Sequence, residues 1–522
     1  MSRWLIASSA TEVLACGSTL NDRRRGRAVQ YWLEAYATFK QNSEFMPFPT
    51  TTTTTTTTTS RRDFLRATSC GFGSLALNAM LHQEATAAPV KTVNSSPLAI
   101  KQSHFPPRAK RIIFLFMAGG PSQMDLYDYK SRLAKGSGQP IPYKLPETEA
   151  TVGLDNTKLL GPVSGFKHQG ECGLYMSDLL PHTARHVDDL CVLRAVQADS
   201  PNHPVAIRQL HTGNLFDVVP SMGSWLSYGL GTENQQLPSY ITILPQEGER
   251  NFSSAFLPAI HQGTAIQHVG SSPDTAPIRH LTDASIPQDV QRRRIDLIQK
   301  MNRQQLKRLE TDQRMEGVIE SFELAFRMQT ETPRLVDLAE ESKETLSQYG
   351  IGEKPTDQFG RQCLLARRFA EAGVRFVQVS LGGWDHHNNI ATGLPDRCAV
   401  SDKPIAGLLD DLKNRGLLDD TLVLWGGEFG RTPHAQFGNG REHNHHGFTM
   451  WMAGGGVKGG ITHGETDDFG YYGVENQVHI NDLHATMLHL MGLNHERLTF
   501  EHHGRPFRLT DVAGNVVKEI IA

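Results

Sequence analysis

The sequence lacks long apolar runs and an excess of charge of either sign. Beyond residue 88 no stretch has the roughly eighteen successive apolar residues that a membrane-spanning helix needs, so no stable span is expected there. Lys and Arg number 52 against 55 Asp and Glu, which gives a formal net charge of -3. This balance excludes a global basic field of the kind that holds nucleic acid or an anionic membrane.

Cysteines are few and form no recognised motif. Four of the six lie beyond residue 88, and their spacing fits no C-x-x-C site. They are Cys172, Cys191, Cys363 and Cys398, for which buried thiols and one or two disulfides are both open. The chain also lacks H-E-x-x-H, G-x-S-x-G and a phosphate-binding lysine loop, which disfavours the enzyme classes that these motifs mark.

The first 88 residues predict an export leader. Residues 50–59 are ten consecutive threonines, which cannot bury a core. Arg61 and Arg62 follow, then a mildly apolar stretch and a small-residue triplet ending at Ala87. This order is typical of a twin-arginine signal with cleavage near Ala87. We therefore expect the twin-arginine (Tat) machinery to export the chain to the periplasm or the extracellular space.

Beyond the leader, short apolar runs predict buried strands, and helical patterns precede several of them. The runs cover residues 111–117, 190–196, 375–381, 421–425 and 448–453, and the helical patterns include residues 362–372 and 404–414. This alternation predicts one α/β domain over residues 89–522, with helices on both faces of the sheet. A charged helical insertion is predicted over residues 286–348. There Ile295, Leu297, Ile298 and Met301 are spaced for one face.

Histidines and carboxylates follow these strands. Eleven of the 23 histidines lie between residues 434 and 503. The polar residues that follow strands are Asp125, Asp385, His386, His387, Glu428 and, slightly later, His443 and His446. Ligands of open α/β sheets gather at the carboxyl ends of the strands. Mixed imidazole and carboxylate ligands suit Zn²⁺, Mn²⁺ or Fe, whereas Ca²⁺ and Mg²⁺ prefer oxygen.

Each segment also has a structural interpretation. Asp125 is placed to cap a helix that begins near Leu126. Glu428 has a potential ion-pair partner in Arg431, and His446 is placed for a loop surface. A single segment of this kind is more often structural than functional, but the joint placement of three at one sheet edge favours a metal site.

Several motifs resemble the DUF1501 family of exported bacterial proteins, in the alkaline phosphatase and sulfatase superfamily. They read Gly-Gly-Pro-Ser-x-x-Asp, Gly-Gly-Trp-Asp-x-His, Gly-Glu-Phe-Gly-Arg-Thr-Pro, Gly-Arg-Glu-His and Ala-Gly-Gly-Gly-Val-Lys-Gly-Gly, and the resemblance extends over roughly residues 108–520. The resemblance implies an alkaline phosphatase-like three-layer sandwich with a mostly parallel central sheet. It also implies one or two divalent metals, Zn²⁺ or Mn²⁺.

The resemblance further implies which residues bind metal. Carried over by motif, Asp385, His387 and His443 form one site, and Glu428 with Asp125 lines a second. In related enzymes Asp-His stands at the position of Glu428-Phe429, so the second site has one imidazole fewer here. His386 and His446 are additional candidates, as ligands or as support for ligands.

The nucleophile is less well defined. The sulfatase motif C/S-x-P-x-R is missing, which disfavours a standard sulfatase. Phosphatases of the superfamily place Ser or Thr upstream of a Thr-Gly, and counting back from Thr212 puts His203 at that position. His203 is thus a candidate for attack, acid/base catalysis or metal binding. Ser200 is a second candidate, with a helix-capping alternative, and Ser122 at a glycine-rich turn is a third.

Two arginines are candidates for binding substrate. Arg431 and Arg441 are placed to hold an anionic ester in a bidentate manner, with a surface ion pair as the alternative for each. Two functions fit these residues. The first is an exported, metal-dependent hydrolase of phosphate or sulfate esters, such as sulfated or phosphorylated glycans. The second is a degenerate member that binds an anionic ligand or glycan at the envelope without turning it over.

Overall fold

The structure of the protein is a computed structural model, which describes residues 96–144, 157–246, 248–267, 269, 286–308 and 313–522. The threonine tract, the paired arginines and the cleavage site lie outside the described residues, so the export signal stays a prediction. Within the described ranges no helix combines the length and apolarity needed to cross a membrane.

Strands and helices alternate over much of this chain. The strands are β1 (Arg111–Met117), β2 (Phe166–Gln169), β3 (Leu174–Ser177), β4 (Leu190–Gln197), β5 (Tyr240–Ile243), β6 (Thr264–Ile266), β7 (Phe376–Leu381), β8 (Thr421–Gly426), β9 (Gly430–Gln436), β10 (Gly440–Asn444), β11 (Phe448–Ala453), β12 (Ile461–His463), β13 (Glu465–Thr466), β14 (Gly473–Glu475), β15 (Val478–His479), β16 (Phe500–His502) and β17 (Arg505–Phe507). The helices are α1 (Gln123–Leu126), α2 (Ser131–Lys135), α3 (His203–Thr212), α4 (Met222–Leu230), α5 (Gln288–Arg308), α6 (Gln313–Val336), α7 (Lys343–Gln348), α8 (Asp357–Glu371), α9 (Ile390–Asn414) and α10 (Ile480–Leu490).

The central sheet is mixed and mostly parallel. It has nine strands, in the order β12-β4-β11-β8-β1-β7-β5-β6, with β15 also paired to β4. β1 runs parallel to both β7 and β8, and β5 runs parallel to β6 and β7. β11 is reversed, since it lies antiparallel to both β4 and β8. The five predicted strands are confirmed, and the run at 448–453 forms the reversed one.

Each face of the sheet is covered by its own helices. Alternate residues of β1 point to opposite faces because side chains alternate along a strand. Ile113, Leu115 and Met117 join an apolar core with residues of α8 and α9. Ile112, Phe114 and Phe116 join a second core with residues of α3, α4 and α10. Two buried cores, one on each side of the sheet, confirm the three-layer α/β architecture.

The predicted insertion region contains two long helices, α5 and α6, and apolar residues that share one face of α5 are largely exposed. Leu297 and Met301 of α5 are 60% and 62% exposed. Among the side chains of this helix that the structure describes, the buried one is Gln299, whose side-chain amide donates to the carbonyl of Ile319 at 2.6 Å. A polar side chain is tolerated in a buried position when its hydrogen bonds are satisfied.

The four cysteines beyond residue 88 are free thiols. Cys172 is exposed, whereas Cys191, Cys363 and Cys398 are buried. Of the two alternatives that the sequence leaves open, the structure therefore shows thiols, three of them packed as small apolar side chains.

The carboxyl ends of four strands meet at one edge of the sheet. β1, β7 and β8 are mutually parallel, and β4 runs with them because both β4 and β8 are antiparallel to β11. The loops after β1 and β7 touch through their backbones. Gly119, with φ of +117°, lies so close to the next loop that a Cβ there would be 2.7 Å from the backbone nitrogen of Asp385.

We predict that Gly119→Ala destabilises the fold more than a glycine replacement in open space. The added methyl group meets backbone that cannot move aside, and the φ angle is strained for alanine, so the loss should be about 3 kcal/mol. Gly138, with φ of +80° and no atom within 4 Å of the added Cβ, is the control, with an expected loss of about 1–2 kcal/mol. Urea unfolding measures both, and equal losses would show that the contact between loops is unimportant.

Candidate metal centre

Four side chains from three separate segments converge at this edge. His203 is the first residue of α3, Asp385 and His387 lie in the loop after β7, and His443 lies on β10. Each offers one ligand atom, and these atoms all lie within 4.8 Å of one another. The structure thus brings together the three residues implied as one site by the family motifs and adds His203 to them.

The carboxylate of Asp385 lies at the centre of the cluster. Its Oδ1 is 2.9 Å from Nε2 of His387 and 3.2 Å from Nε2 of His443, and its Oδ2 is 3.4 Å from Nε2 of His203. In a tetrahedral zinc site with bonds of about 2.0–2.1 Å, neighbouring ligand atoms lie about 3.3 Å apart. The three separations therefore have the size of the edges of a coordination tetrahedron.

Each of the three imidazoles has its other ring nitrogen, Nδ1, bonded to an acceptor. The pairs are His203 with the carboxylate of Glu428 (2.5 Å), His443 with the carbonyl of Pro201 (2.7 Å) and His387 with the amide oxygen of Gln436. Hydrogen at Nδ1 leaves the lone pair of a neutral imidazole at Nε2, the atom that faces Asp385. Metal-ligating histidines are supported in this way. Three such imidazoles and one carboxylate form a donor set that fits Zn²⁺ or Mn²⁺.

The cluster changes the proton affinities of its members. Burial opposes protonation of His203, but hydrogen bonds to Asp385 and Glu428 outweigh it and raise the pKa of His203 to about 9. The hydrogen bond to Asp385 also raises the pKa of His387, whereas burial lowers the pKa of His443. Burial would raise the pKa of Asp385, yet hydrogen bonds from the three imidazoles hold it well below its usual range. Asp385 is therefore ionised at neutral pH.

Glu428 lies behind His203, outside the group of four. Its side chain is completely buried and also accepts from the backbone N–H of Gly119, at 3.0 and 3.2 Å from its two oxygens. These contacts place it as the support of a histidine, whereas the sequence predicted it as a ligand of a second metal.

Arg431 is also buried behind the cluster. Its Nη2 lies 2.5 Å from Oδ1 of Asp385, and its Nε donates to the carbonyl of Gly120 at 2.9 Å. The side chain has no exposed surface. These contacts fix the orientation of Asp385 and leave Arg431 poorly placed for the substrate-binding role predicted for it. Arg431 forms its ion pair with Asp385. The ion pair with Glu428 that the sequence offered as an alternative is not formed.

Asp125 and Arg441 pair with each other instead of joining the cluster. Both side chains are fully buried, and two hydrogen bonds of 2.8 and 3.1 Å join them. Arg441 also donates to the carbonyls of Leu160 and Gly161. The predicted roles, metal ligand for Asp125 and substrate binding for Arg441, are not supported by these contacts. Nor does Asp125 cap a helix, since the N-cap of α1 is Ser122.

The two candidate serine nucleophiles are engaged away from the cluster. Ser122 is buried and its hydroxyl donates to the carboxylate of Asp125. Ser200 accepts from the backbone N–H of Asn202 at 3.1 Å, at the residue that caps α3. The N-cap of α3 is Asn202, two positions after Ser200, so Ser200 does not cap the helix as the alternative predicted.

The two additional histidines also lie outside the group of four. His386 is buried against Gly393, where an added Cβ would lie 2.6 Å from its ring. His446 lies against the ring of His445, with centroids 4.0 Å apart, and near Tyr472. Neither contributes an atom to the cluster around Asp385.

The two acceptors that support His387 and His443 were not predicted from the sequence. Gln436 ends β9, a strand that no apolar run marks. Pro201 acts through its backbone carbonyl, which carries no signature in the sequence. The glutamine lies seven residues before His443, and hairpin pairing of β9 with β10 is the signal that would have placed it near the site.

Comparison with known proteins identifies a family. The family described as "Protein of unknown function (DUF1501)" matches residues 109–521. No curated protein matches the sequence.

Solved structures that resemble this chain include sulfatases and phosphatases. A sulfatase from Pseudoalteromonas sp., PsFucS1, is 13% identical, with coverage of 75% of this chain and 69% of that one and a TM-score of 0.28. The lipoteichoic acid synthase LtaP from Listeria monocytogenes is 8% identical, with coverages of 79% and 78% and a TM-score of 0.31. Alkaline phosphatase from the Antarctic bacterium TAB5 is 9% identical, with coverages of 75% and 100% and a TM-score of 0.30. At these TM-scores the likeness is too distant to bear on activity.

We predict a pH signature for His203 in protein stripped of metal by a chelator. A folded-state pKa of about 9 lies above the usual value of about 6.5, so its contribution to stability is fully present below pH 6.5. That contribution is lost as the pH rises through about 9. The difference in unfolding free energy between wild type and His203→Gln should therefore shrink from pH 6 to pH 10. Urea unfolding at intervals tests this, with the exposed His168→Gln as control. A constant difference for His203→Gln would contradict the prediction.

We predict that Asp125→Asn costs about 3–5 kcal/mol of stability, because it leaves Arg441 buried without its counter-charge. Asp468→Asn is the control. It breaks an ion pair with Arg132 whose members are 66% and 64% exposed, so it should cost less than about 1 kcal/mol. Urea unfolding at pH 7 measures both. Unchanged stability with loss of bound metal would instead return Asp125 to the role of ligand.

Proposed function

The chain belongs to the DUF1501 family, and we propose that it is a metal-dependent hydrolase of phosphate or sulfate esters. One divalent cation, Zn²⁺ or Mn²⁺, would be held by His203, Asp385, His387 and His443. The observation that carries the proposal is the convergence of three imidazole Nε2 atoms on one carboxylate, with every Nδ1 bonded to an acceptor. Nothing in helix or strand packing requires that pattern, whereas metal binding does.

A cation bound there would supply Lewis-acid stabilisation of negative charge on an ester oxygen. The residues of the chain orient its ligands and leave one side of the site open. Glu428 holds the proton on Nδ1 of His203, and so orients Nε2 toward the cluster. Arg431 fixes Asp385 and compensates part of its charge. The exposed face of Asp385, 42% accessible, leaves a direction from which a ligand can approach.

We propose one cation here and not two. The residues expected to line a second site are engaged elsewhere, Glu428 with His203 and Gly119, and Asp125 with Arg441. Moving either carboxylate to a metal would leave a buried cation or N–H group without its partner, which is costly.

A second candidate function is binding of an anionic ligand or glycan without turnover. It is favoured by the hydrogen bonds of the two candidate nucleophiles. The hydroxyls of Ser122 and Ser200 are engaged locally and do not belong to the cluster. In the hydrolase proposal water is then the attacking group. For either function we propose export by the twin-arginine machinery, as the leader predicts, and an anionic ester or a sulfated or phosphorylated glycan as the ligand.

We predict that wild-type protein binds about one equivalent of Zn²⁺ or Mn²⁺, and that His387→Ala weakens binding by more than about 100-fold. Loss of a ligand should exceed the 10- to 100-fold effect typical of losing a supporting hydrogen bond. Elemental analysis after dialysis and competition with a chromophoric chelator measure it. His168→Ala, which removes an exposed histidine outside the cluster, is the matched control and should bind as wild type does.

Turnover separates the two candidate functions. Aryl phosphates and aryl sulfates are assayed with added Zn²⁺ or Mn²⁺, in wild type, His387→Ala and His168→Ala. Hydrolysis by wild type and His168→Ala, with loss in His387→Ala, supports the hydrolase. Bound metal with no turnover of any ester supports the binding protein. Absence of bound metal in the wild type would overturn both the metal centre and the hydrolase.

A further inference from the structure

A chain of hydrogen bonds behind the cluster ends on Glu442, a carboxylate to which the metal centre assigns no role. Glu442 lies where the register shifts between β9 and β10, and its side chain is 14% exposed. Its Oε2 accepts from the side-chain amide of Gln436. Its Oε1 accepts from the backbone N–H of His443 at 2.9 Å, and its own N–H donates to Oγ1 of Thr432 at 3.0 Å. The carboxylate is thus fixed from both sides.

This carboxylate determines the orientation of the Gln436 amide. An ionised carboxylate only accepts hydrogen bonds, so the NH₂ group of Gln436 must face Glu442. The amide oxygen of Gln436 then faces Nδ1 of His387, and an oxygen there accepts only from a protonated Nδ1. His387 therefore carries a hydrogen on Nδ1. Its Nε2, 2.9 Å from the carboxylate of Asp385, is then the nitrogen that would give up its own hydrogen to a cation.

Glu442 also acts on both histidines through its charge. Its Oε1 lies 3.7 Å from Nδ1 of His387 and 3.7 Å from Nδ1 of His443. A negative charge at that distance favours a hydrogen at Nδ1 in both rings, whereas Asp385 faces the two Nε2 atoms at 2.9 and 3.2 Å. One carboxylate thus biases two rings in the same sense.

We propose that Glu442 is the positioning residue of the centre. Through Gln436 and through its own charge, it holds His387 and His443 in the tautomer that presents Nε2 to one divalent cation. This rests on the metal centre proposed above, but it makes a separate claim, about where the hydrogen lies in the metal-free protein. In Glu442→Gln the amide at position 442 can donate as well as accept, so a turned Gln436 amide that presents NH₂ to His387 becomes compatible with its neighbour.

The first test measures Zn²⁺ affinity by competition with a chromophoric chelator. Glu442→Gln should bind Zn²⁺ about 10- to 100-fold more weakly than wild type, the range typical of losing support behind a ligand. Glu475→Gln, the same change at an exposed residue of β14, should bind as wild type does. Because the replacement is nearly isosteric, far-ultraviolet circular dichroism should show the same fold in both variants.

The second test reads the tautomers directly in metal-free protein. Long-range ¹H–¹⁵N spectra of protein with ¹⁵N-labelled histidine distinguish hydrogen at Nδ1 from hydrogen at Nε2, and the resonances are assigned with His387→Ala. Wild type and Glu475→Gln should show His387 with hydrogen at Nδ1. Glu442→Gln should show a mixture or the other tautomer. Gln436→Met, which removes the amide but keeps the length of the side chain, breaks the same chain and gives a second reading should Glu442→Gln fail to fold.

The outcomes separate this proposal from the proposed function. Unchanged Zn²⁺ affinity and unchanged tautomers in the folded variants would overturn the role of Glu442 and leave the metal centre standing. A wild type without affinity for Zn²⁺ would overturn the metal centre, and the spectra alone would then decide the role of Glu442. In that case, loss of the Nδ1 tautomer in Glu442→Gln supports the role, and its retention overturns it.

Discussion

The carboxylate of Asp385 is the group on which the rest of this site depends. It is the one acidic side chain among the four converging residues, and it contacts three imidazoles and a buried guanidinium. These partners come from the loop after β7, the start of α3 and the β9–β10 hairpin. Without a negative charge there, Arg431 would lose its ion-pair partner and the three Nε2 atoms would have no common acceptor. The hydrogen bonds behind the cluster serve to keep that geometry fixed.

The sequence was sufficient to predict five strands of the central sheet and the edge at which the site lies. Apolar runs at 111–117, 375–381 and 421–425 are unambiguous because parallel strands are buried on both faces. Because ligands of such sheets bind at the carboxyl ends of the strands, the site was expected at that edge. Asp385, His387 and His443 do lie together there. The spacing of apolar residues in α5 indicates less, since Leu297 and Met301 are exposed. Helical spacing shows which residues share a face, but not whether another element covers that face.

Roles within the site were harder to predict, because an Asp or Glu can serve either as a metal ligand or as the ion-pair partner of an arginine. Asp125 and Glu428 both follow a strand and a glycine pair, as Asp385 does, yet Asp125 neutralises Arg441 and Glu428 holds a histidine. What separates these cases is the partner brought in from another segment. A buried arginine needs a carboxylate, and Arg441 lies more than three hundred residues from Asp125 in sequence. Motif spacing carries no information about such a pairing.

The ligand set favours an anion as a further ligand, whichever of the two functions holds. Three neutral imidazoles contribute no charge, and Asp385 contributes one negative charge. A divalent cation bound by these four groups would thus keep one positive charge that its own ligands do not neutralise. The guanidinium of Arg431 and the carboxylates of Glu428 and Glu442 lie behind those ligands. In a partly buried site a charge interacts more strongly than in bulk water, so the remaining coordination position attracts an anion. A phosphate or sulfate ester meets this demand with its own oxygens. A site with two acidic ligands for one cation would lack this preference, and for that reason the engagement of Asp125 and Glu428 elsewhere matters to specificity as well as to structure.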